Sequence, residues 1–242
     1  MSLSLSVGAA FGRPGAASSR ASLRAKSARL PTGNTLFDSL VDGGLPRTGF
    51  VECFTSGERR GEAGLLLQAL ANVKRVVWIL PAQGFEPYAP AFEVAGIDLS
   101  RHLFVVPTSP AEAFECAEAA LASGEADAVA AWLPALSLDE DRRCLARLEL
   151  AASQKKALLL AVRPSSLACR SSAADLRLQF APVRHGAEDL SRVRAVRRHL
   201  FSDSVAVAEV PLFEAVPTAR LEPLPSERKP VQPSLFPELS AA

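Results

Sequence analysis

The sequence predicts an α/β fold in which a largely parallel β-sheet is covered by helices, extended by antiparallel C-terminal strands and framed by flexible tails. Three observations carry this expectation. Between residues 49 and 164 short apolar runs alternate with helical stretches, which implies βαβ units and a sheet buried on both faces. The stretch "VECFTSGERRGEAGLLLQAL", Val51 to Leu70, reads as a strand, a tight polar turn and a helix. After Ala173 the pattern changes to three strand-like runs with short breaks.

In chain order, "GFVECF" is a buried strand and Gly64 to Ala71 a helix. "RVVWILP" is a second strand, and "EPYAPAFEVAG" a helix ending at Gly96. "HLFVVP" is a third strand. The helix after it has Ser109 as N-cap, Pro110 in its first turn and Gly124 just past its end. "ADAVAAWLP" is a fourth strand, Ser137 starts a helix through "SLDEDRRCLARLELAASQ", and "KKALLLAVRP" is a fifth strand. "DLRLQFAP", "SRVRAVRRHLF" and "SVAVAEVPLF" are the three runs read as an antiparallel extension.

The ends differ in composition. Residues 1–30 are rich in Ser, Ala and Gly and carry Arg13, Arg20, Arg24, Lys26 and Arg29 without an acid, which predicts a flexible basic segment. Its character also fits an organelle transit peptide, and the alternation Leu3, Leu5, Val7 fits a short strand added to a partner's sheet. From Pro211 onward seven prolines interrupt any helix or central strand. The expected organisation is a tail at 1–30, a core at 31–212 and a proline-rich tail at 213–242.

Composition narrows the function. A chain of 242 residues with 48% hydrophobic and 22% charged residues has the make-up of a globular protein, and its net charge of +1 selects no partner. Cys53, Cys116, Cys144 and Cys169 lie far apart with no metal-ligand spacing, so a zinc site or disulfide framework is not expected and a reducing cytoplasm is. No apolar run approaches the roughly 20 residues that span a bilayer.

"LPTGNTLFDSLVDGGLPRTGFVECF" resembles the lead-in to the ATPase core of the RecA/RadA superfamily, through Thr32, Gly33, Leu36, Asp38, Leu40, Gly43, Gly44, Leu45, Pro46, Gly49, Val51 and Glu52. The resemblance continues to about residue 180 and implies a RecA-like, P-loop-type core. In that family a G-x-x-x-x-G-K-[ST] loop holds the triphosphate on backbone N–H groups, its Lys reaches the outer phosphates and its hydroxyl binds magnesium. The matching stretch, Ser56 to Ala63, keeps Gly61 but has Glu62 for the lysine and Ala63 for the hydroxyl. One unit charge at about 4 Å is worth on the order of 1 kcal/mol in water and about 4 near a protein surface, and here its sign is reversed. By the same resemblance, the magnesium-orienting Asp falls at Trp132 and the catalytic Glu at Gln83, whose amide cannot act as a base. Structural roles remain open beside this reading. Glu62 suits a helix start through the dipole, and Trp132 suits a core or interface. The expectation is a degenerate nucleotide site without cofactor or metal, a pseudo-ATPase and not an enzyme.

Between Arg163 and His199 eight arginines face three acids. Within this stretch Arg177, Arg184, Arg192, Arg194, Arg197 and Arg198 offer contacts to DNA phosphates or to an acidic partner; a solvated strand face is the alternative. Near the C-terminus "QPSLF", with Gln232, Ser234, Leu235 and Phe236, resembles the pentapeptide by which bacterial polymerases hook onto the sliding clamp. A Gln amide for paired hydrogen bonds and a Leu-Phe pair for an apolar cleft, on a proline-stiffened chain, suit a linear motif.

Together these features resemble the ImuA family of the SOS mutagenesis cassette. That resemblance implies a cytoplasmic, non-catalytic adaptor for translesion synthesis after DNA damage. Its implied partners are an ImuB-like relative of Y-family polymerases, an error-prone replicative-type DNA polymerase, the sliding clamp and, weakly, DNA. An active RecA/RadA-type recombination ATPase and a SulA-like cell-division inhibitor are the alternatives.

Overall fold

The computed structural model describes residues 29–56, 62–81, 89–185, 188–197 and 204–211. Ten strands and five α-helices lie in this part: β1 Arg29–Leu30, α1 Thr35–Leu40, β2 Leu45–Pro46, β3 Gly49–Thr55, α2 Glu62–Leu70, β4 Val76–Ile79, α3 Ala89–Val94, β5 His102–Val105, α4 Pro110–Ser123, β6 Ala128–Trp132, α5 Leu138–Lys155, β7 Leu158–Pro164, β8 Leu176–His185, β9 Glu188–Arg197 and β10 Ser204–Pro211. β1 and β2 form a short antiparallel ladder; the other eight strands make one sheet in the order β10-β9-β8-β3-β7-β6-β4-β5. The protein is thus α/β with a mostly parallel mixed sheet.

The apolar runs become central strands because both of their faces are covered. α1, α2 and α3 pack Phe37, Leu66, Leu70 and Phe92 against Val51, Cys53, Leu158 and Leu160 on one face. On the other face α4 and α5 pack Phe114, Leu121, Leu145 and Leu148 against Phe50, Val129, Leu159 and Ala161. This division follows the two-residue period of the strands. Ser109 caps α4 by accepting from Glu112 N, Pro110 occupies its first turn, and Gly124 ends it at φ 73°. Ser137 caps α5 in the same way, as its sequence indicates.

One expectation needs correction. The three late runs are not all antiparallel: β8 pairs in parallel with β3, and antiparallel pairing begins only at β8–β9 and continues to β10. Residues 165–175 are long enough to carry the chain back from the end of β7 to the start of β8, and a hairpin-like break shows only between the later strands. α1 and the β1–β2 ladder, for their part, are too short to leave a periodic signal.

The glycine-rich lead-in has a structural explanation. Asp38 accepts hydrogen bonds from Thr32 N, Thr32 Oγ1 and Gly33 N, closing the turn before α1. Asn34 caps α1 by accepting from Phe37 N and donates from Nδ2 to Pro211 O at 2.7 Å, tying the lead-in to the last strand. Gly44 sits at φ +120°, where a Cβ would lie 2.2 Å from Leu30 O. The backbones of the two short strands cross too closely there for any side chain. Among the described residues no helix is long and apolar enough to cross a membrane.

Gly44→Ala is therefore expected to lower unfolding stability by at least about 2 kcal/mol, combining positive-φ strain with a backbone clash. Gly43→Ala, whose Cβ would meet nothing within 4 Å, has only the strain to absorb and should cost clearly less. Urea unfolding of both variants checks this, and equal losses would contradict it.

Candidate functional site

Helices leave the sheet on opposite faces at one point. The chain runs from β4 through α3 on the first face, but from β5 through α4 and from β6 through α5 on the second. β4 and β6 are neighbours, so a crevice opens between their carboxyl ends, where ligands of parallel α/β sheets bind. A cavity of about 490 Å³ occupies this edge. Thr55 and Ser56 at the end of β3, Pro81 beyond β4, Trp132 and Pro134 at β6, and Arg163 and Ser165 at β7 contribute to its lining. Ser109 and Pro110, at the start of α4, close one side.

Among the residues lining the cavity, Arg163 carries the only charge. Its guanidinium is 2% exposed and fully engaged at its two ends. Nη1 donates to Glu52 Oε1 at 3.0 Å, and Nη2 donates to Asp141 Oδ1. Arg170 Nη1 donates to Asp141 Oδ2 at 3.1 Å and to Leu136 O at 3.0 Å. Arg177 Nε donates to Glu52 Oε2 at 3.0 Å, and its guanidinium lies 4.8 Å from the Phe54 ring centre. Three arginines and two carboxylates thus join β3, β7, β8, α5 and the loop after β7. Among the described residues, Arg163 Nε and Arg177 Nη2 are buried without a hydrogen-bond partner.

Trp132 fills the end of β6 with an aromatic cluster. It stacks at 6.3 Å on Trp78, which also meets Phe92, His102 and Phe104 at 5.6 to 6.1 Å. The buried Trp78 indole donates to His102 Nδ1 at 2.9 Å, so that nitrogen is an acceptor. Burial holds the His102 imidazole below the usual histidine range, against a smaller opposing pull from Asp98. On β3 burial, with a smaller contribution from Glu52, pushes the Cys53 thiol well above its ordinary range and keeps it protonated.

The structure brings Ser56 and Trp132 together on the cavity wall. Glu62 and Ala63 begin α2, with side chains outside the described residues, as are Gly61 and Gln83. The basic stretch divides. Arg177 turns inward to Glu52, and Arg197 donates to Leu40 O at 2.6 Å and pairs with Asp42 beneath α1. Arg192 and Arg194 lie on the exposed face of β9, where Arg192 pairs with Glu209 at 2.8 Å. The Arg184 side chain, Arg198 and the clamp-like Gln232, Ser234, Leu235 and Phe236 lie outside the described residues. So do residues 1–28. Among the described residues no three His, Cys, Asp or Glu side chains converge as for a metal.

Sequence reading missed the ionic cluster, although one signal pointed to it. Glu52 stands within the apolar run "FVECF", and a charge buried there requires a partner. Asp141→Ala strips both Arg163 and Arg170 of a carboxylate and is expected to cost about 3–5 kcal/mol of unfolding stability. Arg192→Ala breaks an exposed pair and should cost less than about 1 kcal/mol. Comparable losses in chemical denaturation would show the cluster to be energetically unimportant. The chain matches no protein-family model, and no curated protein matches it significantly.

Proposed function

We propose that this chain is a non-catalytic, RecA-like adaptor of an error-prone translesion synthesis complex in the SOS response to DNA damage. The observation that carries the reading is the chemistry of the carboxyl-edge cavity. A magnesium–triphosphate site needs a free cation for the outer phosphates and oxygen ligands for the metal's water shell. Among the described lining residues the single cation is held by Glu52 and Asp141, and Trp132 stands where the resemblance expects an acid. Glu62 and Ala63, in place of lysine and hydroxyl, support the same reading from sequence. The mostly parallel sheet is compatible with a RecA-like core.

The partners come from the resemblance to the ImuA family and from the tail. An ImuB-like polymerase relative would bind the core, and "QPSLF" would hold the sliding clamp beside an error-prone replicative-type polymerase. Weak DNA contact falls to Arg192 and Arg194, the two described arginines of the basic stretch that reach solvent most freely. A cytoplasmic location accompanies this role.

Binding of the full chain to purified sliding clamp on a sensor surface tests the adaptor reading, with magnesium–ATP as a second analyte. Clamp binding is expected, and Leu235→Ala with Phe236→Ala should abolish it, since two buried apolar side chains are worth roughly 1.5–3 kcal/mol each. ATP should give no saturable signal up to about 1 mM, a contact worth only about 4 kcal/mol. Micromolar ATP binding would favour the recombination ATPase. Absent or unaltered clamp binding would remove the tail from the account.

A further inference from the structure

The sheet ends in an edge that nothing among the described residues covers. β10 is the outermost strand, eight residues long, and pairs on one side only, with β9. Its inward-facing Ala206 and Ala208 pack on the core beneath α1, and Val210 is fully buried there. Its other face is open: Val205 and Val207 are 54% and 55% exposed, beside Arg194 and Val196 of β9. Edges of this kind are usually blunted by lysine, a bulge or an internal proline. The row Ser204–Ala208 has none of these, only valine, alanine and one serine.

We propose that the occupant of this edge is a second copy of the chain, paired antiparallel through β10 about a two-fold axis at Ala206. The charge pattern and the spacing both favour self-pairing. A two-fold sets a strand against its own sequence, so any charge in the row would meet its like. The row Ser204–Ala208 is uncharged, and Glu209 beyond it is already neutralised by Arg192. With Ala206 on the axis, Val205 stands opposite the partner's Val207, and Val207 opposite the partner's Val205. Both apolar pairs fall on the open face, while Ala206 meets the partner's Ala206 on the covered one. Small residues at that point let the two covered faces approach. The two eight-stranded sheets become one, and the exposed valines are buried in cross-strand pairs. A charged peptide would find no counter-charge in this row.

Sedimentation velocity of the full chain from about 1 to about 200 µM tests the proposal, because dimerisation follows mass action. The wild-type chain is expected to form a dimer within that range. Val205→Lys with Val207→Lys should be monomeric, as should Val205→Glu with Val207→Glu, each with a native circular-dichroism spectrum. An equimolar mixture of the two variants should restore the dimer, since the proposed register sets each lysine against a glutamate. If the charged chains do not fold, Val205→Ser with Val207→Ser should weaken association at least about tenfold. A monomeric wild-type chain at the highest concentration would overturn the proposal and leave the edge to a strand of another protein. A dimer that survives the lysine pair uses another surface and overturns it equally. Failure of the mixture to associate overturns the register.

Discussion

The buried guanidinium of Arg163 is the constraint on which the carboxyl edge of the sheet depends. It lies between Glu52 and Asp141, and through them reaches Arg170 and Arg177. A charge so buried is tolerable only when it is paired, and removing either carboxylate would leave it uncompensated. The cluster therefore fixes β3 against β7 and β8, and fixes α5 across them, to within hydrogen-bond tolerance. It also sets the chemistry of the cavity: a guanidinium already shared by two carboxylates has little left for a phosphate.

The second wall of the cavity follows a different logic. Trp132 ends β6 by stacking on Trp78, whose own N–H is satisfied by the neutral imidazole of His102. An acid at this strand end would face aromatic rings and a half-buried histidine. Aromatic packing and ion pairing thus occupy the two strand ends, β6 and β7, that flank the crevice. The scaffold keeps the shape of a ligand site while its polar groups serve the fold.

Much of the architecture was legible because it rests on local signals. Ser109, Pro110 and Gly124 bound α4 as their chemistry requires, and the apolar runs became parallel strands covered on both faces. The parallel pairing of β8 was not legible, since strand direction depends on where a connection returns and leaves no mark in the run itself. Gly44 and Asp38 carried the family resemblance, yet their roles are steric and hydrogen-bonding roles in the lead-in. The basic stretch misled as a single patch, because alternate residues of a strand point to opposite faces. Arg177 and Arg197 went into ion pairs while Arg192 and Arg194 faced outward. The ionic cluster itself joins residues up to 125 positions apart, and no local pattern announces such a set.

The central claim is that the carboxyl edge is a rigid, self-satisfied structure and not a nucleotide site awaiting its ligand. Amide hydrogen exchange of the full chain, with and without millimolar magnesium–ATP, tests it most directly. The account predicts that the amides of Glu52 and Arg163 exchange only through global unfolding, and that ATP changes protection at neither strand end. Rapid exchange at these amides, or new protection at the ends of β3 and β6 on adding ATP, would contradict it.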